Sequence, residues 1–204
     1  MKRVLYRLKT LIFLLSFALA SNPASAGPSA SEVVERFQTA LIQVMKEAEA
    51  LSVQQRFDRL SPIVDKSFHI PLMIQIATGN YWKEATPPER AQLVKAFRRM
   101  SIATLATLFD GYSGEVFKRV GEKPGPQKTL LVMTKLVKSD KSMVDIAYVS
   151  RPFKDSWQII DVVVDNGISE LKVRRSEYNL VLKNKGIPGL ISLLTKKADE
   201  LVSQ

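Results

Sequence analysis

The chain has 204 residues, among them 30 basic, 20 acidic and one histidine, for a formal net charge of +10 and no cysteine. The lack of cysteine excludes disulfides, thiolate metal sites and a cysteine nucleophile. The basic residues form scattered pairs without interleaved aromatic residues, which argues against a nucleic-acid surface and predicts either solvated faces or weak attraction to anionic lipid headgroups.

The first 26 residues have the three-part layout of a secretory signal peptide. Four Lys and Arg residues precede the apolar run LIFLLSFALA, and Ala24-Ser25-Ala26 supplies the small side chains that signal peptidase accepts. The apolar run is about half of the roughly 20 residues needed to span a bilayer. We therefore predict that cleavage after residue 26 removes residues 1–26 as a signal peptide and leaves an exported, soluble single domain over residues 27–204.

Three helices are predicted before residue 80. Ser29 and Glu32 form a capping-box pattern ahead of an apolar stripe at three- and four-residue steps. A second helix is expected over residues 53–66, broken or kinked by its proline. A short helix from near Pro71 should end at Gly79, because glycine readily adopts the left-handed conformation that closes a helix.

The clearest helix start follows two large aromatic residues, Tyr81 and Trp82. Thr86 and Glu89 have capping-box spacing, and Pro87 stands at the first helical position, where its missing N–H has no cost. An apolar stripe follows, so we predict a long amphipathic helix from Thr86.

The hydrophobic period then changes to that of strands. We predict four of them, at Glu115–Gly121, Lys128–Lys138, Ser142–Pro152 and Ser156–Asp165. Their short links favour an antiparallel meander. A helix over residues 169–183 closed by Gly186, and a last helix opened by Pro188, complete an α+β layout. A curved sheet with helices over one face makes a cone, either filled by side chains or open to an apolar guest.

Two polar residues are candidates for chemistry. His69, in SFHIPLM, could act as a base or metal ligand, but a packed or surface histidine near a helix start explains it better. Asp161, in WQIIDVVVD, could be a cavity base with a raised pKa, although a carboxylate facing solvent or capping a neighbouring segment fits better. No nucleotide-binding, hydrolase or zinc motif is present, so we predict no catalytic residue, metal or cofactor.

Three stretches resemble the periplasmic lipid-shuttle proteins of the MlaC type, also called the toluene-tolerance family. They are GNYWKEATPPERAQLVKAFRR from Gly79, DVVVDNGIS with the later RRSEY, and KGIPGLISLL from Lys185. Their order and spacing extend over nearly the whole exported chain. Asn166 departs from the family pattern by standing before Gly167, and SELKVRRSEY is most similar to the hopanoid-associated HpnM branch.

The resemblance implies an NTF2-like cone with lipid tails inside and the headgroup outside. It implies a periplasmic carrier that shuttles phospholipid or hopanoid between the inner and outer membranes. Its partners would be an inner-membrane transporter complex of the Mla or RND type and an outer-membrane lipid donor or acceptor. NTF2-like cones also host isomerases and hydratases, so an enzyme acting on a hydrophobic small molecule is the alternative, and a binding or docking module without lipid is a third.

We expect the pocket of such a carrier to be lined by apolar side chains from the helices and from the sheet. Tyr81 and Trp82 are expected to brace its wall. The other candidates are Leu72, Ile76, Phe97, Met100, Leu108, Val132, Ile146, Tyr148, Val162 and Val164.

Overall fold

The computed structural model describes residues 27–154, 156–165 and 167–204, so the predicted signal peptide and Asn166 lie outside the described residues. The helices are α1 Ala30–Glu47, α2 Val53–Ser67, α3 Ile70–Thr78, α4 Tyr81–Glu84, α5 Pro87–Leu108 and α6 Glu170–Val202. The strands are β1 Val116–Pro124, β2 Leu130–Val137, β3 Met143–Pro152, β4 Trp157–Val164 and β5 Ile168–Ser169. The predicted α+β class and the order of helices, strands and helices are confirmed.

The sheet is a meander in which every neighbouring pair of strands is antiparallel, in the order β1-β2-β3-β4-β5. The predicted four strands are present, and β5 is a two-residue addition that pairs with the end of β4. The sequence does not predict β5, because two residues are too few to show an alternating pattern. The register of β3 against β4 shifts between Val149 and Ser150.

Side-chain caps fix the starts of the helices. The Ser29 hydroxyl accepts from the Glu32 backbone N–H at 3.2 Å, and the Glu32 carboxylate accepts from the Ser29 N–H at 2.7 Å. Thr86 and Glu89 form the same reciprocal pair, at 3.4 and 2.8 Å. Each pair satisfies backbone donors that have no partner inside the helix. Both predicted capping boxes are confirmed.

Glycine and proline mark the helix ends less uniformly than predicted. Gly79 closes α3 with φ +59°, and Gly186 interrupts α6 with φ +61°, both as expected. The helix α2 continues through Pro62, so of the expected break or kink the break is absent. No helix in the described part of the chain combines the length and apolar character needed to cross a bilayer.

The helices cover one face of the sheet. On β2, Val132 and Thr134 point to this face and are buried, whereas Leu131 and Met133 between them are partly exposed. The helix α1 packs against β1 to β4, but α5 packs mainly on α2 and α6 and stands off the strands. The space between α5 and the sheet is therefore not filled by a close helix–sheet contact.

A buried arginine holds the C-terminal end of α5 in place. The Arg56 guanidinium, 7% exposed, donates to the backbone oxygens of Ala48, Leu51 and Ala106, at 3.1, 2.6 and 2.8 Å. Ala106 lies in the last turn of α5, where carbonyl groups have no partner inside the helix. Arg56 thus ties the end of α1, the following turn and the end of α5 together.

Candidate functional site

An apolar cavity of about 270 Å³ lies between the inner face of the sheet and the helices. This volume is just below the roughly 300–1,000 Å³ typical of small-molecule pockets. Most lining side chains are apolar: Phe37, Leu41, Val64, Phe68, Ile70, Met73, Phe97, Ser101, Thr104, Leu105, Leu108, Phe109, Phe117, Ile146, Tyr148, Val162, Val164, Glu170, Leu171 and Arg174.

Strand alternation and helix periodicity place these side chains. Ile146 and Tyr148 on β3 stand opposite Val164 and Val162 on β4, so the four share the inner face. On α5, the cavity residues from Phe97 onward recur at positions 101, 104, 105 and 108, which is one helical face. The cavity therefore has a sheet floor and a wall formed by α5.

Beside the cavity, a buried polar link and aromatic packing join α1 to the sheet. The buried Gln38 amide donates to the Thr134 hydroxyl at 3.1 Å and to the Tyr148 hydroxyl at 3.2 Å. Phe37 packs edge-on against Phe68 and Tyr148, with ring centroids 4.9 and 6.2 Å away. Burial raises the pKa of Tyr148 to about 12, so its hydroxyl stays neutral at physiological pH.

The cavity reaches the surface where α5 ends and α6 begins. Leu108 lines it there and is 68% exposed. Two charged residues of α6, Glu170 and Arg174, line the same region. Behind Arg174, Tyr178 is buried, and its hydroxyl donates to no acceptor among the described residues. Burial raises the Tyr178 pKa to about 12, and the nearby positive charge of Arg174 acts in the opposite direction.

Half of the twelve candidate residues meet at this cavity: Phe97, Leu108, Ile146, Tyr148, Val162 and Val164. The other six do not line it: Leu72, Ile76, Tyr81, Trp82, Met100 and Val132.

Helix geometry explains most of these positions. Ile70 and Met73 give α3 its cavity-facing side, which turns Leu72 and Ile76 away from it. Met100, 8% exposed, lies about 60° around α5 from Phe97 and packs in the closed core instead.

The aromatic pair before α5 has a local role. Tyr81 and Trp82 form the turn α4 and are half-buried against the core. The Trp82 carbonyl accepts from the Arg90 Nε at 3.0 Å, and the Arg90 guanidinium lies 5.6 Å from the Trp82 ring centroid. The pair thus secures the entry into α5 rather than a wall of the cavity.

His69 and Asp161 both act as helix caps. The His69 Nδ1 accepts from the Leu72 N–H at 3.0 Å, and its ring stacks on Phe153 at 4.1 Å. Burial lowers the His69 pKa, and the Arg151 charge adds to this effect. The Asp161 carboxylate accepts from the Ser169 hydroxyl at 2.6 Å and from the Leu171 N–H at 3.1 Å. The interpretation of His69 as a histidine near a helix start and that of Asp161 as a cap of a neighbouring segment are confirmed.

Several cavity residues were absent from the sequence-based candidates. Phe37 and Leu41 belong to the apolar stripe of α1, so the sequence shows that they are hydrophobic but does not show that they face the cavity. Arg174 belongs to the basic pair RR, and nothing in the sequence marks it as a cavity residue. No cluster of three or more His, Cys, Asp or Glu residues that could hold a metal occurs within the described ranges. Burial of an apolar ligand is what this arrangement can provide.

Comparison with known proteins identifies the family of this chain and a solved structure with a similar fold. A family model described as MlaC protein matches residues 35–196. The chain is also similar to a solved structure from Ralstonia solanacearum, described as a phospholipid-binding protein in complex with a phospholipid. That match has a TM-score of 0.75 and 17% sequence identity, and it covers 85% of this chain and 99% of the other. The chain therefore belongs to the MlaC family.

Proposed function

We propose that this protein is a periplasmic lipid carrier that holds lipid tails in the cavity between α5 and the sheet. The observation that carries the proposal is a mostly apolar cavity of about 270 Å³ that opens at the surface, in a chain of the MlaC family. The cargo is a phospholipid or a hopanoid. The phospholipid named for the Ralstonia solanacearum structure supports the first, and the HpnM-like stretch SELKVRRSEY supports the second.

The energetics suit a carrier. An acyl chain of about 15 methylenes exposed to water costs on the order of 12 kcal/mol at about 0.8 kcal/mol per methylene. An apolar cavity offers burial comparable to that of the bilayer interior. Extraction and delivery are then nearly balanced in free energy, and the direction of transfer is set by the partners at each membrane.

The cavity residues have distinct parts in this proposal. Ile146, Val162 and Val164 form the floor that contacts the acyl chain, with Phe97 on the opposite wall. Leu108, exposed at the rim, would contact the membrane or partner surface during handover. The small volume accommodates part of a lipid, so a two-chain lipid would require α5 to move outward from the sheet. Because α5 packs on other helices rather than on the strands, such movement breaks few sheet contacts.

Location and partners follow from the same proposal. The signal peptide at residues 1–26 directs the chain to the periplasm, where the domain over residues 27–204 meets an inner-membrane Mla-type or RND-type transporter complex and an outer-membrane donor or acceptor. N-terminal sequencing of fractionated cells is expected to find Gly27 first, in the periplasmic fraction. An intact Met1 in the membrane fraction would contradict this location.

An enzymatic alternative has less support at this cavity. The carboxylate that could have served as a base, Asp161, accepts hydrogen bonds from Ser169 and Leu171 and does not line the cavity. His69 likewise lies outside the lining and caps α3. We therefore propose a binding and transport role without a chemical step.

Transfer between vesicles tests the carrier role. With a fluorescent phospholipid in donor vesicles, we expect the protein to accelerate its appearance in acceptor vesicles. Val164→Trp places a large side chain into the cavity and should slow this transfer. Leu180→Trp is the matched control, since Leu180 is 67% exposed on α6 and does not line the cavity. Wild-type protein without effect on transfer, or a Val164→Trp protein as active as wild type, would refute the proposal.

A further inference from the structure

The mouth of the cavity carries two opposite charges on one helix face. Glu170 and Arg174 are four residues apart on α6, and both line the cavity next to apolar side chains. Positions i and i+4 on a helix are neighbours, about 6 Å apart along the axis. A ligand whose tail enters the cavity therefore has its polar end beside both charges.

The protein does not pair these two charges with each other. A glutamate four residues before a basic residue is the favourable orientation for a helical ion pair. Among the described residues, however, Glu170 forms no ion pair, and Arg174 forms a single one, to Glu177 at 3.8 Å. The Arg174 side chain is 23% exposed, and besides this long ion pair its charge interacts with the Tyr178 hydroxyl. Both charges remain available to a ligand.

Polar groups near Arg174 add to this arrangement. The buried Tyr178 hydroxyl interacts with Arg174 but donates to no acceptor among the described residues, so its O–H can donate to a ligand. On the opposite wall, Ser101 and Thr104 line the cavity with hydroxyl groups. The Thr104 hydroxyl donates to the Met100 carbonyl at 2.8 Å, so its oxygen can still accept.

We propose that Glu170 and Arg174 select a zwitterionic phospholipid headgroup, with the phosphate at Arg174 and the amine at Glu170. A guanidinium binds phosphate oxygens through two parallel N–H groups, and a carboxylate accepts from an ammonium group. A neutral polycyclic lipid would use neither charge, and an anionic lipid without an amine would meet repulsion from Glu170. The inference rests on the proposed lipid carriage and narrows the cargo to an aminophospholipid.

Competitive loading tests this selection. Protein is incubated with vesicles of equal phosphatidylethanolamine and phosphatidylglycerol, with diacylglycerol as a minor third component and the same acyl chains throughout. The reisolated protein is extracted, and bound lipids are quantified by mass spectrometry relative to the vesicle composition. Wild-type protein should be enriched in phosphatidylethanolamine over phosphatidylglycerol, and in both over diacylglycerol.

Each variant changes a different ratio. Glu170→Gln should lower the ratio of phosphatidylethanolamine to phosphatidylglycerol by about two- to fivefold, as for a partly exposed ion pair. Arg174→Gln should lower both phospholipids by about tenfold relative to diacylglycerol. Arg175→Gln on the same helix and Glu49→Gln are matched controls outside the cavity lining, and neither should change a ratio.

The outcomes separate this inference from the carrier role. If wild-type protein loads no lipid of any class, the carrier proposal fails and the headgroup inference fails with it. If it loads lipid without preference, or if Glu170→Gln keeps the wild-type ratio, only the headgroup inference is refuted. Inorganic phosphate alone should not displace phosphatidylethanolamine. Displacement by millimolar phosphate would indicate a simple anion site and would also refute it.

Discussion

Replacing Ile146 by lysine distinguishes an open cavity from a closed core. Ile146 lies on the sheet floor and lines the cavity, so a lysine there can extend its stem through the empty space towards the mouth and keep its ammonium group hydrated. Losing a half-buried isoleucine should cost about 1–2 kcal/mol of the free energy of unfolding. For a domain of this size that corresponds to a fall in Tm of about 2–8 °C.

Val132→Lys is the matched control on the neighbouring strand. Val132 also points to the inner face of the sheet, but it is fully buried at 0% exposure and does not line the cavity. A lysine there buries an unpaired charge, which should cost about 3–5 kcal/mol and lower Tm by about 6–20 °C. The two substitutions thus introduce the same side chain on the same face with different expected costs.

Lipid retention provides the second measurement. In Ile146→Lys a bound acyl chain must either give up its contact with the sheet floor or remove water from the lysine ammonium group. Either change should cost about 3 kcal/mol of binding free energy, which reduces lipid retention on the order of a hundredfold. Lipid per folded protein is measured by extraction and mass spectrometry, and folding by a cooperative thermal melt. Equal loss of Tm in both variants, or full lipid retention in Ile146→Lys, would refute the assignment of an open cavity.

Three further substitutions test features around the site. Gly79→Ala should lower Tm by about 2–8 °C in a thermal melt, because Gly79 has φ +59° and an added Cβ would lie 2.9 Å from the Arg175 guanidinium; an unchanged Tm would contradict this. Asp161→Asn removes one acceptor from the cap of α6 and should lower Tm by about 2–4 °C while lipid per folded protein stays constant; loss of lipid from a folded variant would instead favour a role in the cavity. The lowered pKa of His69 means that the unfolded chain binds more protons, so its contribution to stability is complete above about pH 6.5 and is lost as the pH falls below that value. His69→Asn keeps an N-cap acceptor but cannot titrate. Between pH 7.5 and 5.5, the free energy of unfolding measured with denaturant should therefore fall less for His69→Asn than for wild type. Equal falls would show that His69 does not contribute.

The helices and strands were largely predictable because their signals are local. The capping boxes at Ser29 and Thr86 and the breaks at Gly79 and Gly186 depend on residues within one turn, and the structure places each where the sequence indicated. Pro62 was different. A proline removes one helical hydrogen bond, but the buried side chains of α2 hold the helix through it, and that compensation depends on tertiary packing.

The cavity was only half predictable, and the reason is geometric. Val132 and Val162 are the same residue type and both point to the inner face, since strand periodicity determines which side of the sheet a residue faces. Whether that side meets a close helix or an open space depends on how far each helix stands from the sheet. Val132 is fully buried away from the cavity, whereas Val162 faces the space below α5.

Native mass spectrometry of the wild-type protein, purified without detergent, tests the central claim most directly. We expect a population heavier than the polypeptide by the mass of a lipid, released on collisional activation and identified after extraction. The mass should match a phospholipid or a hopanoid, and the lipid-bound population should be strongly reduced after Ile146→Lys. A wild-type mass equal to that of the polypeptide alone, together with no uptake of lipid from vesicles, would contradict the claim that this cavity carries lipid.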